Sequence, residues 1–285
     1  LSWRRIKNHC INNIESKMYI EEEKKMIDKT AIIHPSAQIA DDAIIGPYVV
    51  IGENVKIGSK TRVIANAYIE HAEIGERCTI SPFATIGSEP QDLGYKGEET
   101  KVVIGDDTII KENVTIHRGA ACGDFTTRIG NKCLLMVGSH IAHNCVLADQ
   151  VILANLVTLG GHVHVGFGAF VGGMSVFHQN IRIGDMAIIS GFSASRQDIL
   201  PYSKGEGRPP VPRGLNVVAL KRRGVSQEVR NNMNLAFKLL ISDEYNTTQA
   251  IEKIKSEIPT NEYIEKMIDF VKTSKRGVLL KSHKS

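Results

Sequence analysis

The chain has 285 residues, 42% of them apolar, with 35 Lys and Arg against 31 Asp and Glu for a formal net charge of +4. That length buries a sizeable core in one or two domains, and so small a basic surplus, spread along the chain, does not point to a nucleic-acid partner. No apolar run approaches the ~18 residues of a membrane span and the N-terminus has no apolar secretory core, so the expectation is a cytoplasmic protein with no membrane span.

Residues 1–25 mix basic and acidic side chains without periodicity and read as an extension, disordered or preceding a start at Met26. Glu15 and the acidic run from Glu21 to Glu23 argue against a transit peptide. A six-residue rhythm then begins: Ile33, Ile39, Ile45, Ile51, Ile57, Val63 and Ile69 are spaced by six. It slips by one residue and resumes at Ile74, Ile80 and Ile86. Two stretches interrupt it, near 88–103 and 117–128, and read as loops protruding from a repeat, where binding residues concentrate. From Ile129 the rhythm runs unbroken for eleven steps to Ile189. At this apolar content such a run arises by chance on the order of once in 10⁴ in a fixed register.

Residues 26–204 therefore form the repeat domain. The Gly- and Pro-rich stretch 205–214 reads as a linker, and 215–285 as a helical domain. Within it Ser226 caps a helix to about Ile241, Thr247 or Thr248 caps one to about Ile258, and Thr260 caps one to about Thr273.

A two-residue alternation within each hexad describes a short strand and a corner. First and fifth positions point inward, second and sixth outward, and the third and fourth turn the corner. The fifth positions, among them Cys133, Cys145, Val151, Val157 and Val163, are small or β-branched. Cys78, Cys133 and Cys145 fall there and read as core fillers; with an odd total of five cysteines and no CxxC, a reducing compartment fits better than disulfides. Parallel strands coiled in this way make a β-helix. If three hexads close one coil, residues three hexads apart stack at about 4.8 Å. His143, Gly161 and Gln179 then share a column, flanked by Asn144, His162 and Asn180 on one side and Ala142, Gly160 and His178 on the other. The histidine-rich segments collapse to one patch.

Several motifs resemble one family: MIDKT at Met26, QDLGY at Gln91, TIHRG at Thr115, HIAHNC at His140, GGM-x-x-x-HQ at Gly172 and LKRRG at Leu220. They resemble the acyl-carrier-protein-dependent UDP-N-acetylglucosamine O-acyltransferases that open lipid A biosynthesis, over about residues 26–285. The resemblance implies an all-β left-handed parallel β-helix followed by a small α-helical C-terminal domain, although ordinary crossover rules favour the right hand. It implies transfer of an (R)-3-hydroxyacyl group from acyl carrier protein to the sugar 3-hydroxyl, no metal or other cofactor, and a homotrimer with sites between subunits. His143 matches the general base, and imidazole suits that task. The Gly161 N–H matches the oxyanion donor. Gln91, Asp92, His140, His162, His178 and Gln179 match sugar-nucleotide and acyl-site positions. Asn216 and Arg223 match residues near the nucleotide, Arg222 one linked to the carrier protein, and Gly191 the position associated with acyl length, where it leaves room for a longer chain.

The sequence departs from the family in three places. Asn144 stands where members often carry Asp, Gly94 where they carry a lysine, with Lys96 two residues later, and Val218 where an acidic nucleotide contact is common. His34, His71, His117 and His283 read as structural and His164 as outward-facing. Other readings compete. A sister N-acyltransferase of the pathway would usually carry an N-terminal uridine-binding domain, whereas an amino-sugar-directed acyltransferase differs only in its acceptor, which an assay with both nucleotide acceptors distinguishes. A hexapeptide zinc enzyme of the γ-carbonic anhydrase type, which metal analysis would reveal, lacks QDLGY and the helical tail. A non-catalytic scaffold does not call for clustered histidines.

Overall fold

The computed structural model describes residues 26–280. The segment 1–25 and His283 lie outside the described residues. From Met26–Ile27 to Ala194–Ser195 the chain makes a short strand about every hexad, and up to Val176–Phe177 each pairs in parallel with the third strand after it. Three sheets of 11, 9 and 8 strands result, forming the three faces of a prism. On the second face His140 pairs with Thr158, Thr158 with Val176 and Val176 with Ala194. Each partner stands three hexads further along the chain, so one coil takes three hexads, as the stacking rule assumed.

The hexad forms this coil because its apolar positions all face one axis. Ile141, Leu159 and Phe177 are buried, as are the fifth-position residues Cys145, Val163 and Ile181. Cys78, Cys133 and Cys145 are core fillers, with burial pushing the Cys133 thiol up to about 11 and the Cys145 thiol to about 12. From Tyr48 onward the residue that turns the corner takes the left-handed region in most hexads: Asn54, Asn144, His162 and Asn180 have φ between 55° and 63°. That conformation costs an L-residue roughly 1–2 kcal/mol and a β-branched one more. No Val, Ile or Thr occupies such a position among the described residues, and Gly138 and Gly168 take two of them.

The rhythm's irregularities are absorbed at corners. The slip shortens a coil, so that Lys56 pairs with Glu73 and Ile57 with Ile74, one position short of three full hexads. The two interruptions lengthen coils: Thr79 pairs with Ile109 across the first, and Ile110 with Leu135 across the second. Their loops are 89–100, after the strand Thr85–Ser88, and 118–125, after Thr115–His117. Both leave the corner between the second and third faces. Residues 142–145 turn that same corner one coil further on, so both loops stand beside His143.

The stretch 205–214 is not a linker. Ser203–Gly207 and Pro210–Leu215 form an antiparallel hairpin that extends the first face through Ile188 and Lys204. Its prolines sit in the turn and on the outer edge strand, where a missing N–H breaks no ladder. Four helices follow: α1 (Val217–Arg222), α2 (Gln227–Ile241), α3 (Thr247–Glu257) and α4 (Glu262–Lys272). Ser226 caps α2 as expected, but α3 is capped by Asn246 and α4 by Asn261 rather than by threonines. Asn246 completes a capping box with Gln249, satisfying two backbone donors where a lone threonine hydroxyl would satisfy one.

The helices bury Phe237, Leu240, Ile254, Ile264 and Met267 against Met186, Leu200 and Tyr202. Arg182 fastens them to the solenoid: its guanidinium pairs with buried Asp198 at 2.9 Å, donates to the Phe270 carbonyl at 2.7 Å and lies over the Phe270 ring. No described helix is long and apolar enough to cross a membrane.

Candidate active site

His143 lies at the corner between the second and third faces, 9% exposed. Its Nδ1 is 2.9 Å from Oδ1 of Asn144, whose own placement is fixed by the Ala120 backbone. Asn144 Oδ1 accepts the Ala120 N–H at 2.9 Å and its Nδ2 donates to the Ala120 carbonyl at 3.1 Å. The amide therefore cannot be flipped, Oδ1 can only accept, and His143 Nδ1 must carry the proton. The lone pair is left on Nε2. A Cβ at Gly161 would fall 2.6 Å from that Nε2, so the Gly161 backbone lies against the imidazole as the column arithmetic requires, and only glycine leaves room. The Gly161 N–H makes no bond to another described residue and is free to donate.

The two loops complete this corner. Asp92 Oδ1 accepts the Gly94 N–H at 2.9 Å and Oδ2 lies 3.3 Å from the Cys122 thiol. These contacts, the Gly94 N–H foremost, hold the Asp92 carboxyl below its usual range. Cys122 Sγ is also 3.3 Å from His162 Nε2, and the His162 ring meets His143 edge to face at 5.2 Å between centroids. Burial, then the neighbouring His143, lowers the His162 pKa; partial burial, then Asp92, raises that of Cys122. Cys122, His143 and His162 thus present three donor atoms within 4.8 Å of one another, the residues here with the chemistry to hold a metal.

Beside them on the second face stand His140 and His117, 5.2 Å between ring centroids. His140 Nδ1 is 2.7 Å from Thr115 Oγ1 and His117 Nδ1 is 2.6 Å from the Glu89 carbonyl. Burial pushes His140 down to about 4 and also lowers His117. His178, two coils beyond His140, has its Nδ1 2.7 Å from the Arg276 guanidinium and 3.1 Å from the Gln179 carbonyl. Gln179 stacks beyond Gly161 in the same column, and Gln91 is exposed at the loop's edge.

One chain does not gather every expected residue. Arg223 lies over the Phe167 ring and donates to Gln150, at the corner between the third and first faces. Arg222 is exposed beside it on α1. Asn216 is 4% exposed and committed locally: it caps α1 and donates to the Met186 carbonyl at 2.8 Å. Gly191 is at the third corner, against Gly173. Lys96 is exposed in the loop 89–100, while the Gly94 position serves the tight turn on Asp92. His164 faces outward as expected.

Cys122, Ala120 and Arg118 went unread in the sequence because they lie in an insertion, where residue spacing no longer gives height along the axis. Arg118 is the anchor: nearly buried, it pairs with Glu70 at 3.2 Å, donates to the Gly87 carbonyl at 2.9 Å and holds the Tyr95 hydroxyl at 3.1 Å. The signal available was an arginine directly after TIH in a stretch otherwise built of small residues.

Comparison with known proteins places the chain. Residues 198–279 match the family model for the second domain of UDP-N-acetylglucosamine O-acyltransferase, and residues 27–117 match that of the GMPPB C-terminal domain. The acyl-[acyl-carrier-protein]–UDP-N-acetylglucosamine O-acyltransferase of Thermodesulfovibrio yellowstonii is 48% identical over 253 residues, 88% of this chain and 98% of that protein. The enzyme of the same name from Campylobacter concisus is 36% identical over 258 residues, 90% of this chain and 98% of its own. The solved UDP-N-acetylglucosamine O-acyltransferase of Moraxella catarrhalis superposes with a TM-score of 0.85 at 38% identity, covering 89% of this chain and 99% of that one. The chain, a left-handed parallel β-helix with a small helical domain at its C-terminal end, belongs to the acyl-carrier-protein-dependent UDP-N-acetylglucosamine O-acyltransferase family.

Proposed function

We propose that the chain transfers an (R)-3-hydroxyacyl group from acyl carrier protein to the 3-hydroxyl of UDP-N-acetylglucosamine, the first step of lipid A biosynthesis, with His143 as general base. The observation that carries the chemistry is the Asn144 lock, which commits His143 Nδ1 as a donor and leaves Nε2 basic beside Gly161. The sugar hydroxyl gives its proton to Nε2 as its oxygen attacks the thioester carbonyl. The Gly161 N–H stabilises the oxyanion, and the tetrahedral intermediate collapses with loss of the carrier thiolate, which takes the proton back from the imidazolium. His140, His162, His178, Gln179, Gln91 and Asp92 line the approach. Arg222 and Arg223 offer guanidinium groups to the carrier protein and the nucleotide phosphates, and Gly191 leaves room for the far end of the acyl chain.

The reading includes a homotrimer. Asn216, Arg222, Arg223 and Gly191 sit on corners other than that of His143, so an arrangement in which neighbouring chains share sites brings the set together. The corner between the first and second faces carries exposed Tyr48, Phe83, Leu156, Met174 and Phe192, an apolar stripe that favours burial against another chain. A cytoplasmic setting accords with the free thiols of Cys78, Cys122, Cys133 and Cys145.

A panel of (R)-3-hydroxyacyl-carrier-protein thioesters, offered with UDP-N-acetylglucosamine or its 3-amino analogue, tests the assignment. An O-ester on the hydroxyl acceptor is expected; product from the amino acceptor alone would contradict it. Mixing His143→Ala with Arg223→Ala chains tests the shared site: activity that neither chain has alone is expected, and none would refute sharing.

A further inference from the structure

We propose that Cys122, His162 and His143 form a binding site for a soft divalent cation such as Zn²⁺, and that an ion seated there blocks acyl transfer. The donor set is one thiolate and two imidazoles, the mixture that selects zinc-like ions over magnesium or calcium. Tetrahedral zinc with bonds of about 2.3 Å to sulfur and 2.0–2.1 Å to nitrogen spaces those two donors at roughly 3.5 Å. Cys122 Sγ and His162 Nε2 stand 3.3 Å apart, and the donor atoms of the three residues all lie within 4.8 Å. Asp92 Oδ2 is 3.3 Å from the same sulfur.

Two further features prepare the site. His143 already has the outer partner that metal-binding histidines use: its Nδ1–H is held by Asn144, leaving the Nε2 lone pair for an ion. Cys122 is held close because its neighbour Gly123 packs where a Cβ would fall 2.4 Å from Asn144 Nδ2 and 3.1 Å from His162 Cε1. The other described cysteines are buried with their sulfurs against backbone carbonyls, whereas Cys122 is exposed and reachable by an ion.

On binding, the cation loses all but one of its waters, the Cys122 thiol releases its proton to solvent, and the thiolate and the two imidazole lone pairs take the other three positions. His143 Nε2, coordinated, can no longer take a proton. The inhibition thus rests on His143 being the base; the binding does not.

Titration of the full chain with Co²⁺ tests the binding. A near-ultraviolet thiolate-to-cobalt band with visible tetrahedral bands, saturating at one ion per chain and displaced by Zn²⁺, is expected. Both Cys122→Ser and His162→Asn should abolish the thiolate band or weaken Co²⁺ binding about a hundredfold. An absent band, or one unchanged in Cys122→Ser, overturns the site. Zn²⁺ inhibition of acyl transfer, measured against each protein's own uninhibited rate, should be about a hundredfold weaker in Cys122→Ser. Equal inhibition of the two proteins overturns the proposal. A Cys122-dependent band with no effect on transfer keeps the site and contradicts His143 as the base.

Discussion

The Asn144 side chain decides what His143 can do. Its carboxamide satisfies both backbone groups of Ala120 while holding Nδ1–H, a double duty that an aspartate cannot perform because it has no donor for the Ala120 carbonyl. Asn144→Asp should raise the basicity of His143 through charge, moving the acidic limb of the pH–rate profile to higher pH, while lowering stability by about 1–3 kcal/mol for the unmet carbonyl. An unmoved limb would mean that the residue does not reach the base. A second consequence concerns acid. His140 titrates at about 4 in the folded chain because burial disfavours its charge. The unfolded chain therefore binds more protons between about pH 6.5 and 4, and stability falls as pH drops through that window. Thermal melts should show Tm decreasing across it, and His140→Gln should flatten the decrease. The column of His143, Gly161 and Gln179 was readable in the sequence because each is one coil from the next. Cys122 and Ala120 were not, since they reach the same corner through a loop whose length no periodicity fixes.

The solenoid's elements are repetitive enough to be read from their spacing, and the exceptions are where the chemistry gathers. The two long loops leave the same corner, and one nearly buried arginine does most to secure the first of them. Arg118, through Glu70, the Gly87 carbonyl and Tyr95, ties the loop 89–100 to the coil and so positions Asp92. Arg118→Ala should lower stability by about 2–3 kcal/mol, because Glu70 and a buried carbonyl lose their partner. It should also raise KM for the sugar nucleotide more than it lowers kcat; a pure kcat loss would contradict a positioning role. At the helical end the sequence misled in a consistent way. The threonines at 247, 248 and 260 looked like caps, yet asparagines at 246 and 261 hold those places, since a side-chain carbonyl bonding the N3 amide competes well with a hydroxyl. The prolines at 209, 210 and 212 suggested a break, and instead they define the edge of a hairpin.

Across the whole molecule, the three faces set three corners, and the residues expected to act together are distributed among them. His143, Gly161, His162 and Asp92 share one corner, Arg222 and Arg223 lie at another, and Gly191 at the third. The fold class, the coil length and the identity of the candidate base were legible from spacing and motif. The separation of Arg222, Arg223 and Gly191 from the His143 corner was not, because spacing within one chain gives height along the axis and corner, but says nothing about a neighbouring chain. The helical domain's position is set by Arg182, which donates to the Phe270 carbonyl, and by Asp198, which accepts from the Ser274 hydroxyl, so both members of this solenoid pair hold the helical domain. All of this converges on one atom, Nε2 of His143. The direct measurement is kcat/KM for (R)-3-hydroxyacyl transfer from carrier protein to UDP-N-acetylglucosamine by His143→Ala against the parent, with circular dichroism to show that the solenoid is intact. General-base catalysis contributes about 10²–10⁴-fold, so a loss of that size in a folded protein is the predicted result. A folded His143→Ala chain retaining activity within a fewfold of the parent would contradict it.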